Sequence, residues 1–370
     1  MENIYKINQK LNAGIIGATG MVGQRFITLL AEHPWFNITA LAASPKSAGK
    51  KYAETIEGRW KMTTPIPEKV KDMMVFDASD VEKVSSLCDF VFSAVDMPTK
   101  DEVKKIEEAY AKTETPVISN DKATRGVPDV PMFIPEINSP HAEVIEAQRK
   151  RLGTKTGFIA VKPNCSIQSY VPMLTPLLKF GLKEVVVSTY QSVSGASKTF
   201  NEMPEIIDNV IPYIGGGEEE KSETEPMKIW GSVKNGVIEN ITKPIITSQC
   251  VRVPVSDGHL ATVFINFDGA KPSKEEIIQL WREFKGEPQE LNLPSAPKQF
   301  IYYFDEIDRP QTKLDRDLEN GMAVSAGRLR EDSIFDYKFI GLSHNTLRGA
   351  AGGGVLTAEY LYKKGYIVKK

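Results

Sequence analysis

Cysteine and histidine are scarce in this sequence, and their scarcity limits the chemistry that the chain can support. The 370 residues include three Cys and four His. Three thiols in a chain of this length do not make a disulfide framework, so we expect a protein of the reducing cytoplasm. No metal site is predicted.

Long apolar runs and a large charge of one sign are also missing. Lys and Arg number 46 against 48 Asp and Glu, a net charge of −2, so no basic surface for nucleic acid or an anionic membrane is expected. The apolar stretch "SYVPMLTPLLKFGL" is shorter than the roughly 18–20 residues of a membrane span, and prolines interrupt it. The polar start "MENIYKINQKLNAG" lacks the apolar core of a signal peptide. We therefore expect a compact protein without nucleic-acid or membrane partners.

Short apolar runs alternate with amphipathic segments in the first part of the chain. This alternation is typical of parallel βαβ units. It predicts an α/β, Rossmann-like, doubly wound nucleotide-binding domain over residues 1–164. Helices are predicted at about 22–32 and between the last two strands, and strands at 13–16, 36–44, 73–78, 89–95 and 115–120.

The second part of the chain reads differently, because longer strand-like segments are joined by few helices. Strands are predicted at 184–194, 249–255, 259–267 and 298–304, and helices near 221–233 and 273–285. This pattern indicates an α+β domain with a mixed or antiparallel sheet over residues 165–344. The last segment, about 345–370, is predicted to form one more helix.

The segment "GIIGATGMVG" places Gly17, Gly20 and Gly23 between the first strand and the first helix. Glycines let the backbone approach a pyrophosphate, and a helix N-terminus offers unpaired N–H groups to it. A glycine-rich turn without a ligand is the alternative. Its position in the first βαβ unit favours a dinucleotide site.

The end of the second strand indicates which dinucleotide binds. An NAD site usually has an acidic residue there for the ribose 2′-hydroxyl. This chain reads "ASPKSAGKK" instead, with Ser44, Lys46 and Ser47 and no acid. Hydroxyls and cations suit a 2′-phosphate, so we favour NADP as the ligand of this loop. The alternative is a solvated basic loop that binds no nucleotide.

Cys165 lies in "VKPNCSIQSY", where an apolar strand gives way to a predicted helix that is capped near Asn164 or Ser166. At a helix N-terminus the pKa of a thiol is lowered, and the same N–H groups can hold an oxyanion. Cys88 and Cys250 are predicted to be core residues. An isolated Cys at a strand–helix junction is more often structural than catalytic, but the nucleotide domain before Cys165 favours a nucleophile.

A cysteine nucleophile needs an acid/base partner, and His259 in "RVPVSDGHLATV" is the best candidate. It opens a strand after a tight turn, whereas His33 and His141 flank prolines in segments that resemble surface turns. Arg252, seven residues before His259, offers a guanidinium for a substrate carboxylate.

These motifs together resemble aspartate-semialdehyde dehydrogenase, particularly the branch of archaea, fungi and some bacteria. The resemblance extends from about residue 13 to 354. It is carried, in family order, by "GATGMVGQRF", "ASPKSAGKKY", "PDVPMFIPEIN", "PNCS", "SVSGAS", "EEEKSETEPMKIWG", "RVPVSDGH" and "GLSHNTLRGAAGG".

The resemblance implies an NADP-dependent phosphorylating aldehyde dehydrogenase that forms a cysteine thioester in lysine, methionine and threonine biosynthesis. It also implies a homodimer or homotetramer and a C-terminal helix that rejoins the nucleotide domain. By this resemblance Cys165 is the nucleophile and His259 the acid/base. The substrate is bound by Arg252, Glu225 and Gln191, and phosphate by Arg125, Lys228 and Asn120. The implied NADP contacts are Gly17, Thr19, Gly20, Met21, Val22, Gly23, Ser44, Ser47, Ser194, Gly195 and Asn345.

Three positions depart from the family pattern. Lys162 stands where Asn is usual, "SNDKATRG" replaces a more typical stretch around Arg125, and Asp96 stands where small or apolar residues are common. We expect Asp96 to be an exposed loop residue.

Three alternatives stay open. A malonyl-CoA reductase, or another thioester reductase, would share the fold and the nucleophile. A catalytically silent NADP-binding sensor would need none of Cys165, His259 and Arg252. A thiol protease would leave the nucleotide fold without a purpose.

Overall fold

A six-stranded parallel sheet forms the core of the N-terminal half. The computed structural model describes residues 9–370, so residues 1–8, which begin the polar start of the chain, lie outside the described part. The strands lie in the order β3-β2-β1-β4-β5-β6, and every neighbouring pair is parallel. They are β1 (Leu11–Ile16), β2 (Phe36–Ala43), β3 (Val75–Asp77), β4 (Phe90–Ser93), β5 (Val117–Ser119) and β6 (Ile159–Val161). The predicted doubly wound domain is confirmed.

Helices cover both faces of this sheet, which explains why its strands are almost wholly apolar. Every residue of β4 and β5 is buried. Six helices in the described part have eight residues or more: α1 (Met21–Leu30), α2 (Lys100–Lys112), α3 (Ile145–Leu152), α4 (Glu218–Ile229), α5 (Lys274–Glu283) and α6 (Ala351–Lys363). The last of them, α6, packs against α1 and β5, although it follows the second sheet in the chain.

Shorter helical segments connect these elements. The short α-helices are Tyr52–Thr55, Glu68–Lys71, Val81–Ser85, Pro135–Asn138, Val171–Leu174, Glu287–Glu290, Thr312–Asp315 and Leu318–Gly321. The 3₁₀ segments are Ser139–Val144, Ser166–Ser169, Thr175–Phe180, Val193–Ala196, Phe200–Glu202 and Pro204–Ile206. No helix within residues 9–370 is long and apolar enough to cross a membrane.

A mixed six-stranded sheet organises the second half of the chain. Its order is β10-β7-β11-β14-β13-β12, with parallel pairs at the two edges and antiparallel pairs between them. The strands are β7 (Leu182–Gln191), β10 (Ile245–Arg252), β11 (His259–Phe267), β12 (Ile301–Phe304), β13 (Val324–Glu331) and β14 (Tyr337–Ser343); β8 (Ser232–Lys234) and β9 (Val237–Glu239) form a separate hairpin. The predicted mixed sheet is confirmed.

Strands β13 and β14 were missed by the sequence reading. Gly327 lies in β13 and Gly341 in β14, and charged residues such as Arg330 and Glu331 interrupt the apolar alternation. Glycine and charge both weaken a strand pattern. The structure explains Gly341, because a Cβ there would lie 1.9 Å from the Ser169 carbonyl oxygen.

The helix predicted after Cys165 is broken into three short pieces. A 3₁₀ turn at Ser166–Ser169 is followed by one α-helical turn at Val171–Leu174 and a second 3₁₀ segment at Thr175–Phe180. Pro172 and Pro176 have no N–H to donate, so each starts a new turn instead of extending the last one. The expectation of a continuous helix behind Cys165 is therefore wrong.

Candidate active site

Cys165 and His259 come together from different parts of the chain. Cys165 follows β6, and His259 is the first residue of β11, placed there by a turn in which Gly258 has φ +96°. The distance from Cys165 Sγ to His259 Nε2 is 3.4 Å. On the far side of the ring, the backbone N–H of Ser192 donates to Nδ1 at 3.1 Å. Because Nδ1 accepts this bond, the proton of the neutral ring belongs on Nε2, facing the sulfur.

The surroundings of Cys165 and His259 shift the pKa values of both side chains. Burial, together with the nearby charge of Glu218, raises the pKa of Cys165 to about 11. Burial and the charge of Arg252 lower the pKa of His259 to about 3. The expected lowering of the Cys165 pKa by a helix N-terminus is thus wrong, because loss of water outweighs a single 3₁₀ turn. At neutral pH the free protein holds a thiol and a neutral imidazole.

Arg252 and Gln191 lie side by side at the ends of two paired strands. They are register partners at the last positions of β10 and β7. Arg252 is 5% exposed and donates to the Ser192 carbonyl at 2.7 Å. Gln191 donates to Thr189 Oγ1 at 3.2 Å and to a carboxylate oxygen of Glu218 at 3.4 Å. The strand ends therefore bring a guanidinium and an amide next to the Cys165–His259 pair.

Glu218 and Lys221, which the sequence reading did not select, line the cavity that contains Cys165. The cavity measures about 290 Å³. Glu218 forms an ion pair with Lys221 and accepts from Asn164 Nδ2 at 2.9 Å. Burial would raise the pKa of Glu218, but Lys221, Asn164 and Gln191 hold it below its ordinary value.

Glu225 and Lys228, which the resemblance selected, lie two turns further along α4. Glu225 pairs with Arg125 at 2.8 Å and accepts the Asn164 backbone N–H at 2.6 Å. Lys228 donates to the carbonyls of Arg125, Val127 and Val130 at 2.7, 2.6 and 2.9 Å. Burial lowers the pKa of Lys228 to about 8. Both side chains hold the loop around Arg125 and do not line the cavity of Cys165.

Glu218, Lys221, Glu225 and Lys228 share one face of α4, so the sequence alone does not show which Glu–Lys pair lines the cavity of Cys165. The motif E-x-x-K occurs twice in α4, as Glu218-x-x-Lys221 and Glu225-x-x-Lys228, seven residues apart. A seven-residue step is close to two helical turns and preserves the face. A sequence pattern therefore cannot choose between the two pairs, but the structure distinguishes them, because only Glu218 and Lys221 line the cavity of Cys165.

Arg125 and Asn120 both line the cavity of Cys165. Arg125 reaches it from a loop in which its guanidinium also faces the Asn120 carbonyl at 3.5 Å. Within the described residues, Asn120 Oδ1 and Arg125 Nε are buried atoms without a protein partner. Buried polar atoms are rarely left unpaired, so both are suited to a ligand.

The glycine-rich turn has the shape that a dinucleotide requires. Gly17 has φ +84°, and a Cβ there would lie 2.2 Å from the Ala94 carbonyl oxygen. Gly20 is the N-cap of α1 and provides no side chain to the first-turn N–H groups. Met21 and Val22 line the cavity of Cys165, so the helix N-terminus faces the nucleophile. At the end of β2, the Ser47 backbone N–H donates to the Ser44 carbonyl at 2.9 Å.

Ser194, Gly195 and Asn345 also line that cavity. Asn345 Nδ2 donates to Ser194 Oγ at 2.9 Å, and its Oδ1 accepts the Gly258 N–H at 2.8 Å. One amide therefore connects the loop of Ser194 to the turn that carries His259. Thr19, Gly20 and Gly23 complete the predicted cofactor turn next to Met21 and Val22.

Replacing Gly195 by Ala should lower kcat at least about tenfold, because small displacements of catalytic groups are costly. A Cβ at this position would lie 2.7 Å from Arg252 Nη1 and 2.9 Å from His259 Cε1. Ala196→Ser adds an atom to the next, exposed residue and serves as the control. Steady-state kinetics of both variants check this prediction; equal kcat values would show that the Gly195 contact has no role.

The departures from the family pattern have distinct surroundings. Asp96 is exposed, as expected, and also lines the cavity of Cys165. Lys162 is 2% exposed and donates to the Arg348 carbonyl at 3.0 Å. Burial and the charge of Arg348 lower the pKa of Lys162 to about 7. Lys162 therefore holds the segment that leads into α6 through its hydrogen bond to the Arg348 carbonyl.

Cys88, Cys250, His33 and His141 are buried residues of the core. Cys88 and Cys250 are buried, as predicted. The interpretation of His33 and His141 as surface residues is wrong, because both are buried and hydrogen-bonded. His33 Nε2 lies 2.8 Å from Glu359 Oε1, and His141 Nε2 lies 3.0 Å from the Gly231 carbonyl oxygen. Neither contacts Cys165.

Known families match both halves of the chain. The model of the semialdehyde dehydrogenase NAD binding domain matches residues 12–145, and that of the semialdehyde dehydrogenase dimerisation domain matches residues 174–348. Aspartate-semialdehyde dehydrogenase of Schizosaccharomyces pombe is 44% identical over 357 residues, covering 95% of this chain and 98% of that protein. The chain belongs to the aspartate-semialdehyde dehydrogenase family.

Fungal and archaeal members of this family are similarly close. The aspartate-semialdehyde dehydrogenase of Methanothermobacter thermautotrophicus is 43% identical over 356 residues, covering 95% of this chain and 99% of that protein. A crystal structure of aspartate-semialdehyde dehydrogenase with NADP from Candida albicans superimposes with a TM-score of 0.87 at 41% identity, covering 97% of this chain and all of that one. The resemblance stated from the motifs is confirmed.

Proposed function

We propose that the protein interconverts L-aspartate 4-semialdehyde, phosphate and NADP with L-4-aspartyl phosphate and NADPH, through a thioester on Cys165. The observation that carries the proposal is the 3.4 Å approach of Cys165 Sγ to His259 Nε2, with Cys165 lining the same cavity as Met21 and Val22 of the glycine-rich segment. Membership of the aspartate-semialdehyde dehydrogenase family supports it. The reaction belongs to the biosynthesis of lysine, methionine and threonine.

The chemistry follows from the two neighbouring side chains. The thiol proton leaves to solvent, and the Cys165 thiolate adds to the aldehyde carbon, so that a C–S bond forms and the carbonyl oxygen becomes an alkoxide. His259 Nε2–H donates to this oxygen, since the Ser192 amide keeps Nδ1 as an acceptor. Loss of a hydride from the same carbon leaves the thioester. A phosphate oxygen then attacks the carbonyl carbon, and the C–S bond breaks to release aspartyl phosphate.

NADP, when bound, accepts or supplies the hydride. The chain fits it, because Gly17 permits close approach, α1 begins without a side-chain cap, and Ser44 and Ser47 offer no carboxylate to repel a 2′-phosphate. Ser194, Gly195 and Asn345, beside Cys165, suit the nicotinamide end.

The substrate carries an ammonium group and a carboxylate as well as the reacting carbonyl. Arg252, buried beside His259, suits the carboxylate, and Gln191 suits the acyl group next to it. For the ammonium group we now propose Glu218 in place of Glu225, since Glu218 lines the cavity and Glu225 is paired with Arg125. For phosphate we propose Arg125, Asn120 and Lys221, with Lys228 holding the Arg125 loop.

Glu218→Gln should raise the KM for aspartate semialdehyde at least about tenfold, because a hydrogen bond to a charged group contributes about 1.5–3 kcal/mol. Glu225→Gln removes the partner of Arg125 and should raise mainly the KM for phosphate. Measuring both KM values for both variants checks the assignment. The opposite pattern, with the semialdehyde KM raised by Glu225→Gln alone, would restore Glu225 as the ammonium partner.

One assay separates this function from the alternatives. The purified protein should reduce NADP only when aspartate semialdehyde and phosphate are both present. Activity with malonyl-CoA and NADPH alone would refute the proposal and identify a malonyl-CoA reductase. Binding of NADP without turnover of either substrate would indicate the sensor.

The wider organisation is proposed on the same basis. Residues 1–164 with about 345–370 form the NADP-binding unit, and residues 165–344 form the catalytic and dimerisation domain; the two sheets and the packing of α6 on α1 support this division. The dimerisation-domain match indicates a homo-oligomer, for which we propose a homodimer, or a homotetramer built from it. The cytoplasm remains the proposed location.

A further inference from the structure

A second cavity of about 420 Å³ adjoins the cavity of Cys165. The two cavities share three basic residues, Lys122, Arg125 and Lys221. None of the cofactor-turn residues and none of the nicotinamide-side residues lines the second cavity. A cofactor held between Met21 and Asn345 would therefore occupy the first cavity and leave the second one open.

Basic side chains predominate on the walls of this second cavity. Besides the three shared residues, Lys100 and Lys228 line it, against the acids Glu220 and Glu225. Glu225 is neutralised by Arg125, and Lys228 is satisfied by three backbone carbonyls. Lys100 and Lys122 are exposed and form no salt bridge with any residue from 9 to 370. Lys221 is paired with Glu218, but the five basic residues still outnumber these three acids, so the net charge around the cavity is positive.

The position of Lys100 has no explanation in helix stability. It is the first residue of α2, where the helix dipole disfavours a cation and the capping box of Thr99 and Glu102 already satisfies the end of the helix. The floor of the cavity is fixed, because Lys228 binds three carbonyls of the Arg125 loop. A fixed, positively charged chamber next to a half-buried nucleophile is suited to a small anion with two charges.

We propose that the second cavity is a binding chamber for phosphate dianions, through which inorganic phosphate enters and the acyl phosphate leaves while NADP fills the other side of Cys165. This inference rests on the proposed function. In it, Lys100 and Lys122 hold the anion at the outer end, and Arg125 and Lys221, on the wall common to both cavities, receive it at the inner end.

Lys100→Gln tests the outer end of the chamber without touching the cavity of Cys165. It should raise the KM for inorganic phosphate about two- to fivefold at low ionic strength, and the effect should shrink in 0.5 M KCl, because salt screens exposed charges. The KM values for NADP and aspartate semialdehyde should not change. Lys105→Gln makes the same substitution on α2 at an exposed residue away from the cavity and should leave all three KM values unchanged.

Glu220→Gln provides a test of opposite sign. Removing this exposed acid from the wall should lower the KM for phosphate about twofold, again only at low ionic strength. If Lys100→Gln and Lys105→Gln shift the phosphate KM equally, or if Glu220→Gln raises it, the chamber does not guide phosphate and the inference is overturned. Failure of the proposed function would be visible separately, as NADP reduction by the unsubstituted protein that does not require phosphate.

Discussion

Cys165→Ser should lower kcat at least about a thousandfold, because a serine hydroxyl ionises far less readily than a thiol and makes no thioester. The substitution exchanges one atom at the position 3.4 Å from His259 Nε2. NADP binding should be retained, since the glycine-rich turn is untouched. Steady-state kinetics combined with a cofactor titration measure both properties.

Cys88→Ser is the matched control for this substitution. Cys88 is buried in the nucleotide-binding domain and donates from Sγ to the Val84 carbonyl at 3.2 Å, a bond that a hydroxyl can also make. Its activity should remain near that of the unsubstituted protein. If Cys165→Ser turned over as fast as Cys88→Ser, Cys165 would not be the nucleophile.

The high pKa of Cys165 makes the same residue testable by alkylation. Because burial and Glu218 raise this pKa to about 11, the thiolate is a minor species at pH 7. Modification by iodoacetamide should therefore be slow at neutral pH and accelerate about tenfold per pH unit, since only the thiolate reacts. Fast labelling at pH 7 would instead support the lowered pKa that a helix N-terminus predicts.

His259→Ala should lower kcat by about 10²–10⁴, the usual contribution of a positioned proton donor or acceptor. His259→Gln, which can still present an N–H toward the reacting oxygen, should keep more activity than Ala if donation is the main role. The Ser192 amide at Nδ1 is the reason for this expectation. Equal losses in both variants would indicate instead that the imidazole must accept a proton.

The pH dependence of turnover provides a second view of His259. Burial and Arg252 lower its pKa to about 3, so the folded protein keeps the ring neutral down to that pH. Protonation of His259 should therefore cause no loss of kcat between pH 7 and 5. A fall with a midpoint near 6.5 that disappears in His259→Gln would contradict the proposed state of the ring.

The N-terminal sheet was predictable because its signals are local. Strands β1, β4, β5 and β6 are short, mostly buried runs, and the turn of Gly17, Gly20 and Gly23 follows β1 directly. The mixed sheet was predicted less completely, since β13 and β14 carry glycines and charges whose places depend on contacts far away in sequence, such as Gly341 against Ser169.

Within the site, the nucleophile and its partner were predictable and their surroundings were not. Cys165 and His259 stand in distinctive motifs, but the pKa of Cys165 depends on burial, which a motif does not reveal. The pairs Glu218–Lys221 and Glu225–Lys228 are indistinguishable by pattern, because two turns of α4 preserve the face. Ser192 contacts His259 Nδ1 through its backbone N–H, which every residue except proline has. The residue type at position 192 therefore could not predict this hydrogen bond.

The most direct test of the account is the mass of the peptide that contains Cys165 after one turnover without phosphate. Protein mixed with aspartate semialdehyde and NADP should release up to one NADPH per chain and then stop. Quenched at that point, the Cys165 peptide should carry one aspartyl group as a thioester, which added phosphate discharges. A full burst of NADPH with an unmodified Cys165 peptide, or with the acyl group on another residue, would contradict the central claim.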